Sequence, residues 1–375
     1  MPAADAATAT PDVAALDRVR RLVLAHGWNT TCFQLLNPGL TYWFPERGDA
    51  VVGYVRHGRW WVVAGAPVAP EGRWPEVVAE LTAAARDAGA RLAFFAAERR
   101  LEGLLEPGGG WARLRLGAQP VFDPQRWEVA LAGHASLRAQ LHRARNKGVR
   151  VAEWSSTDAA RHPGVWRCLH GWLGRRGLPP LLFLTTPWTL GRLTARRVFV
   201  AERAGVVVGF LVTSPVPARR WALVEQLVRD PDAPNGTAEL LVDFAFRALR
   251  GDATRLTLGL APLSERTGGW ERAPAWLRLL VSWSRAHGRR FYNFRGLEAF
   301  KAKLGPLEWE PVWLLAAAPR VRPDLLWAVV AAFAGGRPAG FVVRALARAA
   351  RRELGSARSL RRPRDPGRTD RRPDP

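Results

Sequence analysis

Short β-rich runs alternate with helix-length amphipathic runs along most of this chain, and that alternation restricts it to the α/β and α+β classes. Residues 51–64 read as two strands around Arg56-His-Gly-Arg59, a hairpin, and residues 74–88 as an amphipathic helix leading into a strand at 92–96. Residues 107–110 are a turn, and Pro120-Val-Phe-Asp-Pro124 closes a first unit near residue 130. A second unit follows. Strands at 198–202, 206–213 and 221–228 form an antiparallel meander with a turn at Ala204-Gly205. A helix begins at Thr237, and a strand at 254–260, a helix at 273–287 and a strand at 312–318 complete the pattern. No short-period repeat is visible, although two similar halves fit the order of elements.

Composition bounds the partners. The chain has 375 residues, 48% of them hydrophobic and 18 of them Trp, enough for two cored domains. Its 56 Lys and Arg against 33 Asp and Glu give a net charge of +23, which suits a polyanion such as RNA or an anionic membrane surface. Cys32 and Cys168 stand far apart, with no CxxC and no Cys/His cluster, so neither a disulfide framework nor a metal site is expected. Residues 1–12 lack the basic and apolar regions of a secretory signal. No uninterrupted apolar run reaches the roughly 18 residues of a membrane span. A cytoplasmic protein is expected, peripheral to the inner face of the cell membrane. The expected division is a flexible N-terminus (1–12), a first α/β domain (13–130), a second carrying the active site (131–320), an amphipathic, membrane-interfacial segment (321–354) and a disordered basic tail (355–375). Residues 344–375 hold 11 Arg against 4 acidic residues.

Only three of the 56 basic residues are lysines, and two of them, Lys301 and Lys303, share the block Tyr292-Asn-Phe-Arg-Gly-Leu-Glu-Ala-Phe-Lys-Ala-Lys-Leu-Gly-Pro306. Where almost every positive charge is written as arginine, a lysine is a candidate for a compact point charge aimed at one anion. On a helix Arg295, Lys301 and Lys303 would not share one face. Two further blocks join strands to loops. In Glu225-Gln-Leu-Val-Arg229 with Asp-Pro-Asp-Ala-Pro-Asn235-Gly-Thr237, a strand ends and Asn235 or Thr237 can cap a helix whose free N–H groups suit a phosphate. In Leu258-Gly-Leu-Ala-Pro-Leu-Ser264, Gly259 permits close approach of another backbone and Pro262 fixes the exit. Upstream, residues 136–148 read as a basic helix carrying Arg138, Arg143, Arg145 and Lys147, with Gly148 as its C-cap.

In this order the blocks resemble the catalytic domain of the lysylphosphatidylglycerol synthases, the multiple peptide resistance factor family. The resemblance runs over residues 30–320. It is carried by Arg229, Asn235-Gly236-Thr237, the block from Leu258 to Ser264, Tyr292-Asn293-Phe-Arg295, and Phe300-Lys-Ala-Lys303 with Trp309 and Pro311, and more loosely by residues 143–148. It implies two acetyltransferase-like α/β domains in tandem, with mixed, largely antiparallel sheets flanked by helices. It also implies transfer of an amino acid from aminoacyl-tRNA, as co-substrate and with no cofactor, to phosphatidylglycerol. The family's multi-span flippase region has no counterpart here, so a product would be flipped by a separate lipid flippase or left in the inner leaflet. Gln226 stands where the family commonly has Asp, and a neutral amino acid, or a different acyl donor, fits Gln226 better than a cationic amino acid does. Glu225 is no automatic substitute, because neighbouring strand residues point to opposite faces.

The resemblance implies roles. An aminoacyl ester is already activated, so the protein must hold ester and acceptor hydroxyl together and stabilise the oxyanion. Arg229 and Lys301 or Lys303 are expected on phosphate oxygens, and Glu225 or Glu271 on the donor's α-ammonium. Gln226, Asn235, Gly236, Thr237, Gly259, Pro262, Ser264, Tyr292, Asn293 and Arg295 are expected to frame the substrates. Arg138, Arg143, Arg145, Asn146 and Lys147 are expected to meet tRNA or lipid phosphate. Two alternatives stand beside this reading. An acyl-coenzyme A dependent acyltransferase would need a Gly-rich pyrophosphate turn, and residues 229–237 offer one Gly and two Pro. A non-enzymatic RNA- or membrane-binding module would bind without turnover. The order of blocks leaves the transferred amino acid, the acceptor and the oligomeric state open.

Overall fold

The structure is a computed structural model that describes residues 13–105, 109–268, 274–279, 282 and 293–348. Helices α1 (Val13–His26), α2 (Trp74–Asp87), α3 (Arg99–Leu104), α4 (Trp127–Ala132), α5 (Ala135–Asn146), α6 (Ser156–Arg161), α7 (Pro163–Gly174) and α8 (Thr237–Ala248) flank the sheet, followed by α9 (Phe294–Lys303), α10 (Pro323–Phe333) and α11 (Pro338–Arg348). The strands are β1 (Thr41–Trp43), β2 (Val52–His57), β3 (Trp60–Ala64), β4 (Arg91–Ala97), β5 (Ala112–Phe122), β6 (Val149–Trp154), β7 (Arg197–Arg203), β8 (Val206–Val216), β9 (Trp221–Arg229), β10 (Arg255–Thr257), β11 (Ala261–Pro262) and β12 (Glu308–Ala316). They form one sheet in the order β1-β2-β3-β4-β12-β5-β10-β9-β8-β7-β6, with β11 beside β5. The mixed α/β architecture is the class expected from the sequence. The flexible N-terminus and the basic tail lie outside the described residues, as do most of the expected helix at 273–287 and residues 349–354 of the interfacial segment.

Local chemistry explains the elements that were legible. Gly58, with φ 56°, lets β2 and β3 close as a hairpin, and Ala204 and Gly205 both take positive φ, the backbone of a tight two-residue turn between β7 and β8. Gly148 ends α5 with φ 79°, the left-handed stop that only glycine adopts without cost.

Read inward from either edge, the sheet repeats one motif: antiparallel strands and then a parallel pair, β3 with β4 and β9 with β10. The final strand belongs to neither outer meander. β12 inserts between β4 and β5, pairing with both, so the chain's C-terminal part completes the sheet's centre. Four apolar cores line the two faces. One contains Leu137, Leu141, Leu241 and Phe246 with Leu304, so α5, α8 and α9 share one face of the second half.

Candidate active site

The site begins with a splay in the sheet. β10 pairs with β9 over only three residues, 255–257 with 221–223, yet β9 runs on to Arg229, held from there only by β8. Residues 258–260 therefore leave β9 instead of continuing the ladder. On the other side of β9 the register with β8 slips: Thr213 faces Val224 and Val212 faces Gln226, so Glu225 is the extra residue of a β-bulge. A bulge re-aims its side chain and resets the alternation beyond it.

That reset decides where the candidate residues point. Glu225 turns to Arg196, whose Nε and Nη2 donate to its carboxylate at 2.7 and 3.1 Å. Both side chains are almost wholly buried. Arg196 also donates to the carbonyls of Arg192 and Phe33 and to Asn37 Oδ1. The Glu225 carboxylate is thus occupied by protein. Gln226 donates to the Thr186 carbonyl at 3.2 Å and keeps a buried Oε1 without a partner among the described residues. Arg229 pairs with Gly209, where a side chain would meet Leu241 and Thr237. Arg229 therefore rises on the α8 face and Gln226 on the other. Arg229 is half-buried, and its side chain has no ion-pair or hydrogen-bond partner among the described residues.

After Arg229 the loop delivers the first turn of α8. Thr237 is buried and donates to the Pro234 carbonyl at 2.7 Å, closing the loop on itself. Gly236 has φ 95°, and a Cβ there would lie 2.1 Å from the Gln140 carbonyl, so only glycine lets the loop touch α5. Asn235 is exposed beside it.

The two lysines hold this face together. Lys301 is 4% exposed, and its Nζ donates to the carbonyls of Leu258 (2.8 Å), Gly259 (2.7 Å) and Leu260 (2.9 Å). Those carbonyls have left the ladder with β9, and buried backbone acceptors need partners. Burial pushes the ammonium down to about 7. Three carbonyls oppose that shift, since an ammonium has one proton for each and a neutral amine has only two. No proton of Lys301 is left for a substrate in this geometry. Lys303 Nζ bonds Gln140 Oε1 at 2.7 Å and pairs with Glu239, tying α9 to α5 and α8. Gly259 has φ 67° and takes a bond from its own N–H to Thr257 Oγ1. Pro262 pairs with Gly117 of β5, where a Cβ would stand 2.2 Å from the Ala261 carbonyl, and Ser264 is fully buried just beyond.

Cations line the rim. Arg143 and Asn146 of α5 and Lys147 just after it are exposed, and neither Arg143 nor Lys147 has an ion-pair partner among the described residues. Arg138 is instead turned to the carbonyls of Leu131 and Ala132, and Arg145 pairs with Asp243 at 2.9 Å. Asn293 caps α9 by accepting from the Gly296 N–H at 2.9 Å, and Arg295 is exposed in the first turn. Glu271 and Tyr292 lie outside the described residues.

Sequence reasoning passed over a second polar centre. Arg219 donates to Glu98 at 2.7 Å and to Glu310 at 3.2 Å, and it lies against Trp221 and Trp28, 3.2 and 4.5 Å from the ring centres. Glu98 also accepts from the N–H and the hydroxyl of Thr30, both at 2.6 Å. Burial raises its carboxyl, and the Arg219 charge opposes the shift. The partners lie 121 and 91 positions from Arg219, so no local pattern marks them.

Comparison with known proteins decides the family. Residues 20–316 match the family described as phosphatidylglycerol lysyltransferase, C-terminal. The chain belongs to this family. The bifunctional lysylphosphatidylglycerol biosynthesis protein LysX of Nocardia farcinica is 27% identical over 321 residues, which are 78% of this chain and 26% of that protein. The chain thus spans about a quarter of that relative's length. A crystal structure of the C-terminal domain of a putative lysylphosphatidylglycerol synthetase from Agrobacterium fabrum superposes with TM-score 0.72 at 25% identity, covering 86% of this chain and 97% of that one. L-PGS from Bacillus licheniformis shares the fold, with TM-score 0.72, 21% identity and coverage of 89% and 99%. In this phosphatidylglycerol lysyltransferase family member the matched segment takes in the splayed strands, both lysines and the cationic rim.

Proposed function

We propose that the protein is an aminoacyltransferase that moves an amino acid from aminoacyl-tRNA to phosphatidylglycerol. Membership of the phosphatidylglycerol lysyltransferase family over residues 20–316 carries this reading. The acceptor's glycerol hydroxyl attacks the ester carbonyl. A bond forms between that oxygen and the carbonyl carbon, the bond to the tRNA ribose oxygen breaks, and the hydroxyl proton passes to the departing ribose oxygen. One ester is exchanged for another, so the protein must mainly position two large anions and stabilise a transient oxyanion.

The geometry supplies parts suited to those tasks. Arg229 is the half-buried cation left open at the splayed end of β9, beside the first turn of α8, and we assign it to a substrate phosphate or the oxyanion. Lys301 acts as a positioning residue, fixing residues 258–260 where they leave β9. Lys303 fixes α9 against α5 and α8. Arg143, Lys147 and Arg295 face solvent, where the acceptor stem of a tRNA or a lipid phosphate can reach them.

The test is incubation of the purified full chain with a panel of radiolabelled aminoacyl-tRNAs and phosphatidylglycerol vesicles, with thin-layer separation of the lipids. Labelled lipid that disappears when the tRNA is first deacylated is the expected result, and it identifies the amino acid. No label from any aminoacyl-tRNA would overturn the reading.

A further inference from the structure

Helices α10 and α11 lie beyond residue 316, where the family match ends. α10 is a packed helix. Leu325, Ala328, Ala331 and Ala332 are buried in the core, and Trp60 Nε1 donates to Asp324 at 3.2 Å. Among the described residues no single helix is long and apolar enough to cross a membrane, and α11 turns away from α10 by 75°.

α11 has two apolar faces. Phe341 and Ala345 point inward, 9% and 6% exposed, and Arg348 donates to the Leu178 carbonyl at 2.9 Å, which fixes this side to the body. On the opposite side Val342, Val343 and Leu346 stand 36%, 65% and 55% exposed, sharing one outward face at helical spacing. Arg344 is exposed next to Val343 in sequence, about 100° further round the helix, Arg337 is exposed just before the helix begins, and the sequence from 325 to 348 contains no acidic residue. A helix docked on a water-facing surface should show polar residues outward. This one shows branched aliphatic side chains outward, with one arginine on its flank and another just before its first turn, on a chain of net charge +23.

We propose that the outer face of α11 docks on an anionic phospholipid bilayer, with Val342, Val343 and Leu346 entering the interface and Arg337 and Arg344 meeting the headgroups. The chemistry selects that partner: three contiguous aliphatic side chains have no counterpart on the phosphate backbone of an RNA, whereas an interface that is apolar beneath and negative above matches both parts of the face. The purpose, holding the active site at the layer that carries the acceptor, rests on the proposed lipid acceptor. The docking itself does not.

The experiment is co-sedimentation of the full chain with phosphatidylcholine vesicles, with and without phosphatidylglycerol, for wild type and Val343→Asp/Leu346→Asp. Wild type is expected to bind the anionic vesicles, and the double variant to lose about tenfold or more in partition coefficient. Its melting temperature, tRNA binding and transfer to detergent-dispersed phosphatidylglycerol are expected to stay unchanged. Should the aspartates impair folding, Val343→Ser/Leu346→Ser gives the same comparison without added charge. Equal vesicle binding by variant and wild type, or a loss of tRNA affinity matching the loss of vesicle binding, would overturn the docking surface. Absence of labelled lipid in detergent with the wild-type protein would instead overturn the transferase reading, so the two failures are distinct.

Discussion

The two parallel strand pairs of the sheet start alike and finish differently. β3 and β4 stay paired over residues 60–64 and 91–95, and the Gly65 N–H continues the seam to the Phe95 carbonyl at 2.7 Å. β9 and β10 part after three residues. Charge follows the same division. Near the end of β4, Glu98 and Glu310 saturate Arg219 inside a buried, tryptophan-lined network, whereas at the end of β9 Arg229 meets no protein anion among the described residues. A closed seam with satisfied charges holds a fold, and an open seam with an unsatisfied cation can hold a ligand. On the proposed reading, the chemistry belongs to the second half and the first has a structural part.

That contrast can be broken by mutation. Arg219→Ala leaves the buried Glu98 carboxylate and the half-buried Glu310 without their cation, and breaking a buried pair by removing one partner costs about 3–5 kcal/mol. Denaturant unfolding should show that loss, while turnover per folded molecule stays near wild type; a stable variant with abolished turnover would move the chemistry to the first half. Arg229→Ala should do the reverse, lowering transfer by about 10²–10³-fold, as loss of one donor aimed at developing charge does, with little change in unfolding.

Lys301 sharpens the comparison through pH. The free ammonium keeps its proton to 10.5 and the buried one is pushed down to about 7. Between those values the unfolded chain binds more protons than the folded one, so this group makes stability rise with pH, by up to about 1.4 kcal/mol per pH unit. The carbonyl bonds narrow that window from below without changing its sign. Melting curves of wild type and Lys301→Met from pH 7 to 10 should diverge, the wild type gaining relative to the variant; parallel curves would show that Lys301 titrates as in the unfolded chain. The smallest effect belongs to the rim. Arg143→Ala/Lys147→Ala should weaken tRNA binding for all sequences and reduce the slope of log affinity against log salt by about 2, and an unchanged slope would remove α5 from the RNA interface.

Much of this was legible in the chain and some was not, for physical reasons. The hairpin at Arg56-His-Gly-Arg59, the helix from Trp74, the meander turning at Ala204-Gly205 and the stop at Gly148 are written in local patterns. The motif blocks also converge, because Lys301 reaches residues 258–260 and Lys303 reaches α5 and α8. The fates of single side chains were hidden. Glu225 sits on a bulge that no composition announces, and its partner Arg196 lies 29 positions away. Insertion of β12 between β4 and β5 joins residues about two hundred positions apart. Such long-range pairings are decided by packing, and periodicity does not record them.

The most direct test measures label passing from aminoacyl-tRNA to phosphatidylglycerol with wild type, Arg229→Ala and Arg229→Lys under one set of conditions. Labelled lipid is expected with wild type, near-complete loss with alanine and partial recovery with lysine, which restores a charge without the bidentate fork. Full transfer by the alanine variant would contradict the claim that the open cation of β9 carries the reaction.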